Sequence, residues 1–340
     1  MMRLAIATDA WSPQINGVVR SLQETAAALP ALGITAHFVT PEGLPSLPLP
    51  TYPDIRLAIM AGPAIGRRLD EIRPDAVHVA TEGTIGHAVR RWCLTRQLPF
   101  TTSYHTRYPD YVRARAPIPE AWTYAWLRHF HGAARRTMVP TETMRGELSR
   151  WGFANLSVWA RGVDTQLFRP RPAVKLGYPG PIMLSVGRLA VEKNLEAFLA
   201  LDLPGTKLVV GDGPQRAELE RRFPQAVFLG ARTGEALAEI YAGADVFVFT
   251  SRTDTFGNVM QEALASGLPV AAFPVAGPLD VVGDPAIACL DEDLSRAIKT
   301  ALTLDPVRCR AVAESRSWAA AARQFADALC PFGAASRRAA

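Results

Sequence analysis

From residue 4 to residue 290 the chain repeats one pattern: a short run of β-branched or apolar residues, then a longer stretch with helical spacing. Such alternation builds βαβ units, whose strands lie parallel with helices packed over them. The strand-like runs form two sets, 4–8, 35–40, 76–79, 100–104, 137–140 and 156–159, then 182–187, 207–211, 226–229, 246–249, 270–272 and 287–290. Between the sets lies Phe168-Arg169-Pro170-Arg171-Pro172, followed by Gly177 and Pro179-Gly180-Pro181. That stretch cannot sustain a helix or a central strand. The pattern predicts an α/β protein of two Rossmann-like halves, 1–168 and 182–315, with a linker over 169–181. A last helical pattern over 316–330 is expected to cross back to the first half.

Size and composition agree with this division. The 340 residues are about twice the roughly 150-residue domain prior, so a single small module is ruled out. With 49% hydrophobic and 20% charged residues, the chain is neither disordered nor fibrous. No apolar stretch approaches the 18 or so residues needed to span a bilayer. Met1-Met2-Arg3 runs directly into Leu4-Ala5-Ile6-Ala7 without a signal-peptide layout, so a cytoplasmic protein is expected. Cys93, Cys289, Cys309 and Cys330 are widely separated and lack metal-site spacing, and they read as reduced and structural.

Charge divides unevenly. Residues 1–170 hold 19 arginines, no lysine and 13 acidic residues, a net of +6, whereas residues 171–340 have a net of −1. A basic front half points to an anionic partner: a phosphorylated ligand, an acidic lipid surface or nucleic acid.

In open parallel sheets ligands lie beyond the carboxyl ends of the strands, so the loops there are the places to search. After the first run comes Thr8-Asp9-Ala10-Trp11-Ser12-Pro13-Gln14-Ile15-Asn16-Gly17. Gly17 at a helix start permits close approach of an anion, but Gly-x-Gly-x-x-Gly is absent, which disfavours a nicotinamide dehydrogenase. After the fourth run, His105 in Tyr104-His105-Thr106-Arg107 is placed to bond a polar substrate beside an arginine. A buried core histidine is the competing reading of the same residue. His129 and His131, two apart on a helix, face different ways and cannot share a metal. Arg161 supports either a phosphate or the hinge between halves.

The second half carries stronger signals. Gly187-Arg188 and Lys193 put two cations five residues apart on one loop, a fork for a diphosphate. Gly211-Asp212-Gly213-Pro214 is a tight turn exposing backbone to a base or ribose. Asp254 and Glu262 are carboxylates eight residues apart around Phe256-Gly257-Asn258, and each can accept two hydrogen bonds from vicinal hydroxyls.

These motifs, in this order after a Rossmann-like half, resemble the family 4 retaining glycosyltransferases of the GT-B fold, whose two domains face across a cleft. The resemblance is nearest to the bacterial GDP-mannose-dependent α-mannosyltransferases, with sulfoquinovosyl and other lipid glycosyltransferases as near relatives. It implies that Arg188 and Lys193 clamp the donor diphosphate, that Glu262 binds the ribose and that Asp254 holds sugar hydroxyls. It further implies that Phe256, Gly257 and Asn258 offer amides to the sugar and phosphate. From the other domain Gly17 would face the diphosphate and His105 the sugar. Asp254 stands where most members carry Glu, one methylene shorter, which bears on the choice of sugar.

The expected reaction is therefore transfer of a hexose, mannose from GDP-mannose in the first instance, to a lipid or glycan acceptor with retention. A UDP-sugar-dependent glucosyl, glucuronosyl or sulfoquinovosyl transferase shares every motif. A sugar-nucleotide-binding or nucleic-acid-binding protein without catalysis is the reading from another class, and no nucleic-acid motif supports the latter. Asp291-Glu292-Asp293 matches the Asp-x-Asp of metal-dependent enzymes, but it precedes a helical run and reads as a helix start, so no metal is expected. Finally, Arg113, Arg115, Arg128, Arg135 and Arg136 interleave with Tyr111, Trp122, Tyr124, Trp126 and Phe130. That mixture either packs the domain or seats a basic, aromatic edge on the inner face of the membrane beside a lipid acceptor.

Overall fold

Two strands, Met2–Ala7 (β1) and Ile182–Val186 (β9), lie inside two separate parallel sheets, each with a strand on either side, in a computed structural model of the chain. The structure describes residues 1–12, 17–49, 52–59, 62–113, 118–254 and 256–333. Pro13 to Asn16, Arg115 and Thr255 of the motifs above lie outside that set, as does the side chain of Tyr111.

The chain divides into two compact units, Met1–Ala160 with Trp318–Ala340, and Arg161–Ser317. In the first unit the strands are β1, Ile34–Val39 (β2), Ser46–Leu49 (β3), Tyr52–Ala58 (β4), Ala76–Val79 (β5), Thr101–Ser103 (β6), Arg136–Val139 (β7) and Leu156–Val158 (β8). Six of them form one parallel sheet in the order β2-β1-β5-β6-β7-β8, and β3 and β4 form a separate antiparallel hairpin. Alternation along β1 explains its place inside the sheet, between β2 and β5. Ala5 and Ala7 pack on one face with Val77, Val79 and Val89, while Leu4 and Ile6 pack on the other with Trp159 and Phe325. A strand apolar on both faces needs helices on both.

In the second unit β9, Thr206–Val210 (β10), Val227–Phe228 (β11), Val246–Phe249 (β12), Val270–Ala272 (β13) and Ala288–Leu290 (β14) form a parallel sheet ordered β11-β10-β9-β12-β13-β14. Leu184, Leu208 and Phe247 line one core, and Met183, Val209 and Val248 line the other.

The helix Trp318–Ala328 belongs to the first unit. Its Phe325 is fully buried against Trp159 and His78, and Gln324 Oε1 accepts the Ala160 N–H at 3.0 Å. The division between units comes earlier than Phe168, which corrects the boundary read from sequence. Val163 and Phe168 are core residues of the second unit, and Arg310 Nη1 donates to the carbonyls of Thr165 and Phe168. The proline-rich stretch 169–181 also packs on that unit, through Leu176 and Tyr178 and the Arg171–Glu235 ion pair. Proline and glycine report that a segment is neither helix nor strand; they do not report that it is exposed.

Among the described residues no helix is long and apolar enough to cross a membrane.

Candidate functional site in the second unit

Each sheet has a point where successive connections leave in opposite directions, between β1 and β5 in the first unit and between β9 and β12 in the second. Ligands of open α/β sheets bind in the crevice at such points. The two units treat that place differently.

In the first unit the protein fills it with its own carboxylate. Asp9 follows β1 and is buried at the start of helix Thr84–Thr95, accepting from the backbone N–H of Ile85 at 2.8 Å and of Gly86 at 3.3 Å. The hydroxyls of Thr81 and Thr84 donate to it at 2.9 and 3.3 Å. Free amides at a helix start are what a phosphate would seek, and here an internal anion has taken them. Gly83 is needed for this fit, since a Cβ there would lie 2.3 Å from the Asp9 carboxyl carbon.

The second unit leaves its switch point to the residues singled out above. Thr250 Oγ1 donates to the Lys193 carbonyl at 2.6 Å and Ser251 Oγ to the Glu192 carbonyl at 3.2 Å, which fastens the loop after β9 to the loop after β12. The fastening brings Lys193 Nζ to both carboxylate oxygens of Asp254, at 2.5 and 2.8 Å. Gly257, at φ +80°, turns the chain into helix Asn258–Ala265. Its backbone conformation and the 2.9 Å that a Cβ would leave to Phe249 and Met260 both require glycine. Phe256 is buried beneath the turn, Asn258 opens the helix half-buried, and Glu262 is buried one turn further along. Arg188 is half-buried on the same loop as Lys193, next to Gly187, where a Cβ would meet nothing within 4 Å. This assembly offers two cations and two carboxylates around a helix start, the composition that a diphosphate carrying a polyol would match.

Gly213 and Gly211 have a different reason to be glycine from the open backbone expected of them. A Cβ on Gly211 would lie 1.8 Å from the Gly187 carbonyl oxygen, and one on Gly213 2.4 Å from that of Leu189. The turn is pressed against the Arg188 loop, and the Leu189 N–H donates to the Asp212 carbonyl at 2.9 Å. Its glycines shape the cation loop from behind.

Gly17 and His105 lie in the first unit. Gly17 opens helix Gly17–Ala28 and its carbonyl accepts the Ser21 hydroxyl at 2.7 Å. His105 follows β6, half-buried, edge-on to Trp159 with ring centroids 5.7 Å apart. Arg107, the arginine near His105 in the sequence, is held internally: it makes a bidentate pair with Glu147 at 2.8 and 2.9 Å and bonds Asp110 at 2.6 Å. Arg161 is buried, and burial alone pushes its guanidinium down to about 9. Its carbonyl accepts Gln261 Nε2 at 3.1 Å, so it anchors the helix that carries Glu262.

The acidic triplet is accounted for by its neighbours. Asp293 caps helix Leu294–Ala301 by accepting the Arg296 N–H, Glu292 pairs with Arg252, and Asp291 pairs with Arg296 at 2.5 Å. That guanidinium, helped by the Asp293 N–H, holds the Asp291 carboxyl down to about 2. Among the described residues no group of His, Cys, Asp and Glu is arranged to hold a metal.

Two features were not anticipated. A Cβ on Gly277 would lie 2.7 Å from the Asp254 carbonyl, so the start of helix Ala276–Val282 closes over the Asp254 loop. In the first unit His131 is fully buried between Glu82, 3.0 Å from Nε2, and Thr102, 2.9 Å from Nδ1. The sequence carries a cue to the first, a glycine just after β13. It carries none to the second, whose partners are 49 and 29 residues away.

Comparison with known proteins gives a consistent result. Residues 15–167 match the family model "Glycosyltransferase Family 4" and residues 180–304 match "Glycosyl transferases group 1". The chain is 34% identical over 311 residues to a GDP-mannose-dependent alpha-mannosyltransferase of Mycobacterium tuberculosis (strain CDC 1551 / Oshkosh), covering 83% of this chain and 81% of that one. It is 32% identical over 281 residues to the sulfoquinovosyl transferase SQD2 of Arabidopsis thaliana, covering 73% of this chain and 54% of the relative. Among solved structures, sucrose-phosphate synthase from Thermosynechococcus elongatus superimposes with a TM-score of 0.75 at 22% identity, over 96% of this chain and 98% of the other.

Proposed function

The chain belongs to glycosyltransferase family 4, has the GT-B fold and is a hexosyltransferase acting on a lipid or glycan acceptor, and from that premise we propose that its donor is GDP-mannose and that it transfers with retention. The observation that carries the reading is the Lys193–Asp254 pair beside the Gly257 turn, at the switch point of the second sheet. The 34% identity to a GDP-mannose-dependent relative supports the choice of donor.

The chemistry follows from charge. Breaking the bond between anomeric carbon and phosphate leaves an oxocarbenium-like sugar and a diphosphate, and the main need is to stabilise the negative charge that develops on the latter. Arg188 and Lys193 supply positive charge there, and the amides of Phe256, Gly257 and Asn258 supply oriented dipoles. Glu262 takes the ribose hydroxyls and Asp254 the sugar hydroxyls, and Gly213 sets the turn behind the diphosphate. The leaving phosphate accepts the acceptor's proton, so attack comes from the face it departs. Neither the Asp291 triplet nor any other carboxylate group is given a metal in this reading. The chain works in the cytoplasm and meets a lipid acceptor from the inner face of the membrane.

The 32% identity to a sulfoquinovosyl transferase favours a second reading with a UDP-sugar donor. Incubation with GDP-mannose, UDP-glucose and UDP-glucuronate, with NMR of the product anomer, separates the two. GDP-mannose is expected to react fastest, to give the α-product, and to do so at an unchanged rate in EDTA. Preference for a UDP-sugar would replace the donor assignment, and a strict metal requirement would return Asp291 and Asp293 to the site.

A further inference from the structure

Arg252 stands two residues before Asp254, in the loop after β12, and the site described above gives it no task. Its neighbours turn toward the loop after β9: Ser251 Oγ donates to the Glu192 carbonyl at 3.2 Å, and Thr253 Oγ1 donates to the same carbonyl at 3.5 Å. Arg252 turns the other way. Its guanidinium lies over the ring of Phe273, 3.8 Å from the centroid, and donates to both oxygens of the Glu292 carboxylate, at 2.6 and 3.3 Å. Phe273 is buried just after β13 and Glu292 follows β14, so one side chain joins the loop after β12 to the two loops beyond it.

Both partners are themselves held. Glu292 rides on a closed turn, in which the Asp293 N–H donates to the Asp291 carboxylate at 2.8 Å and the Asp291 N–H to the Ala272 carbonyl at 3.0 Å. The Phe273 carbonyl accepts the Val275 N–H at 2.9 Å, and two residues later Gly277 closes on the Asp254 carbonyl. The loop after β12 and the segment after β13 therefore meet twice, once through Arg252 and once through the backbone of Asp254. The Arg252–Glu292 pair does little for the fold, because its side chains are 42% and 65% exposed, and exposed ion pairs and cation–π contacts contribute little to stability. What it constrains is direction. A guanidinium flat on a ring and forked onto a carboxylate fixes the orientation of its loop in a way that a lysine does not.

We propose that Arg252 is a positioning residue for glycosyl transfer, its stack on Phe273 and its fork onto Glu292 setting the attitude at which Asp254 meets the donor sugar. Glu292, the middle of the acidic triplet, thereby serves the site as an anchor and not as a ligand. The inference rests on the reading that Asp254 holds sugar hydroxyls, and it holds for either donor base. Misplacing a substrate-positioning group by about 1 Å costs on the order of 10²-fold in rate, so a brace of little worth to the fold is of large worth to the reaction.

The test is a double-mutant cycle on the full chain, with water as the acceptor and release of nucleoside diphosphate as the readout. The probe is GDP-mannose, or UDP-glucose should the donor screen above select it. Arg252→Ala is expected to lower kcat at least ~10-fold while leaving affinity for the free diphosphate within ~3-fold and the melting temperature within ~4 °C of wild type. Arg252→Lys, which keeps the charge and loses the fork and the stack, is expected to resemble Arg252→Ala. In an Asp254→Asn background, Arg252→Ala is expected to slow release by less than a further ~2-fold, because the carboxylate that it aims is gone. If the two substitutions multiply instead, Arg252 does not act through Asp254 and the inference is overturned. A wild-type kcat in Arg252→Ala or Arg252→Lys overturns it as well. Should Asp254→Asn alone leave the rate unchanged, the reading of Asp254 fails and takes this inference with it. That arm leaves Arg252 intact, so the two failures are told apart.

Discussion

Replacing Lys193 by alanine is expected to slow glycosyl transfer by at least ~10²–10³-fold, the usual cost of removing one charge-stabilising group from a site where negative charge develops. Stability should change by no more than ~1 kcal/mol. The ammonium is partly exposed, with a side-chain accessibility of 28%, and partly exposed ion pairs contribute little. A large loss of rate without a loss of fold is the signature of a group acting on the reaction. Activity within tenfold of wild type in a purified, folded variant would remove Lys193 from the donor site and the assignment with it.

The companion substitution is Asp254→Asn, and the geometry makes it more informative than a second alanine. Asp254 is the counter-ion of Lys193, at 2.5 and 2.8 Å. A diphosphate reaching that ammonium must compete with the carboxylate, and the carboxylate released is then available to the sugar. An amide in place of the carboxylate would keep the shape and remove the competing charge. Calorimetry is therefore expected to show tighter binding of GDP, together with a lower rate of transfer. If GDP affinity and rate fell together, Asp254 would be supporting the loop and not exchanging partners.

How much of this was legible from residue order depends on how far apart the partners lie. The loops after β9 and β12 could be read because each carries its own chemistry within about a dozen residues, cations and a glycine on one, carboxylates and a glycine on the other. The parallel sheets could be read because Leu4-Ala5-Ile6-Ala7 and its counterparts are apolar on both faces. Asp9 could not be read, since the groups that make it an internal anion are 72 to 77 residues away. The hairpin β3–β4 was missed because its prolines argue against a central strand, and it is a two-stranded ribbon where no central strand exists. Phe168 was assigned to the wrong unit because local breakers mark where secondary structure stops, whereas a domain boundary is set by which core a side chain enters.

Gly211→Ala is expected to be the most damaging single-methyl change in the second unit, because the methyl has nowhere to go. Its Cβ would stand 1.8 Å from the Gly187 carbonyl oxygen, and the contact is backbone against backbone, so no side-chain rotation relieves it. The residue sits at φ +143°, where an L side chain adds strain of its own. The Gly187 N–H is also tied to the Val210 carbonyl at 3.0 Å, and the Gly211 N–H to the Gly230 carbonyl at 2.9 Å, so neither strand end can move aside without losing a hydrogen bond. Overpacking and strain together should cost at least ~3 kcal/mol, a fall of roughly 6–12 °C in melting temperature for a unit of this size. Gly146→Ala is the control. It lies inside helix Glu142–Arg150 with nothing within 4 Å of the added Cβ, and it should stabilise by about 0.5–1 kcal/mol. If Gly211→Ala melted with the wild type, the loops after β9 and β10 could part freely. The cation loop would then owe its shape to the Thr250 and Ser251 hydrogen bonds alone.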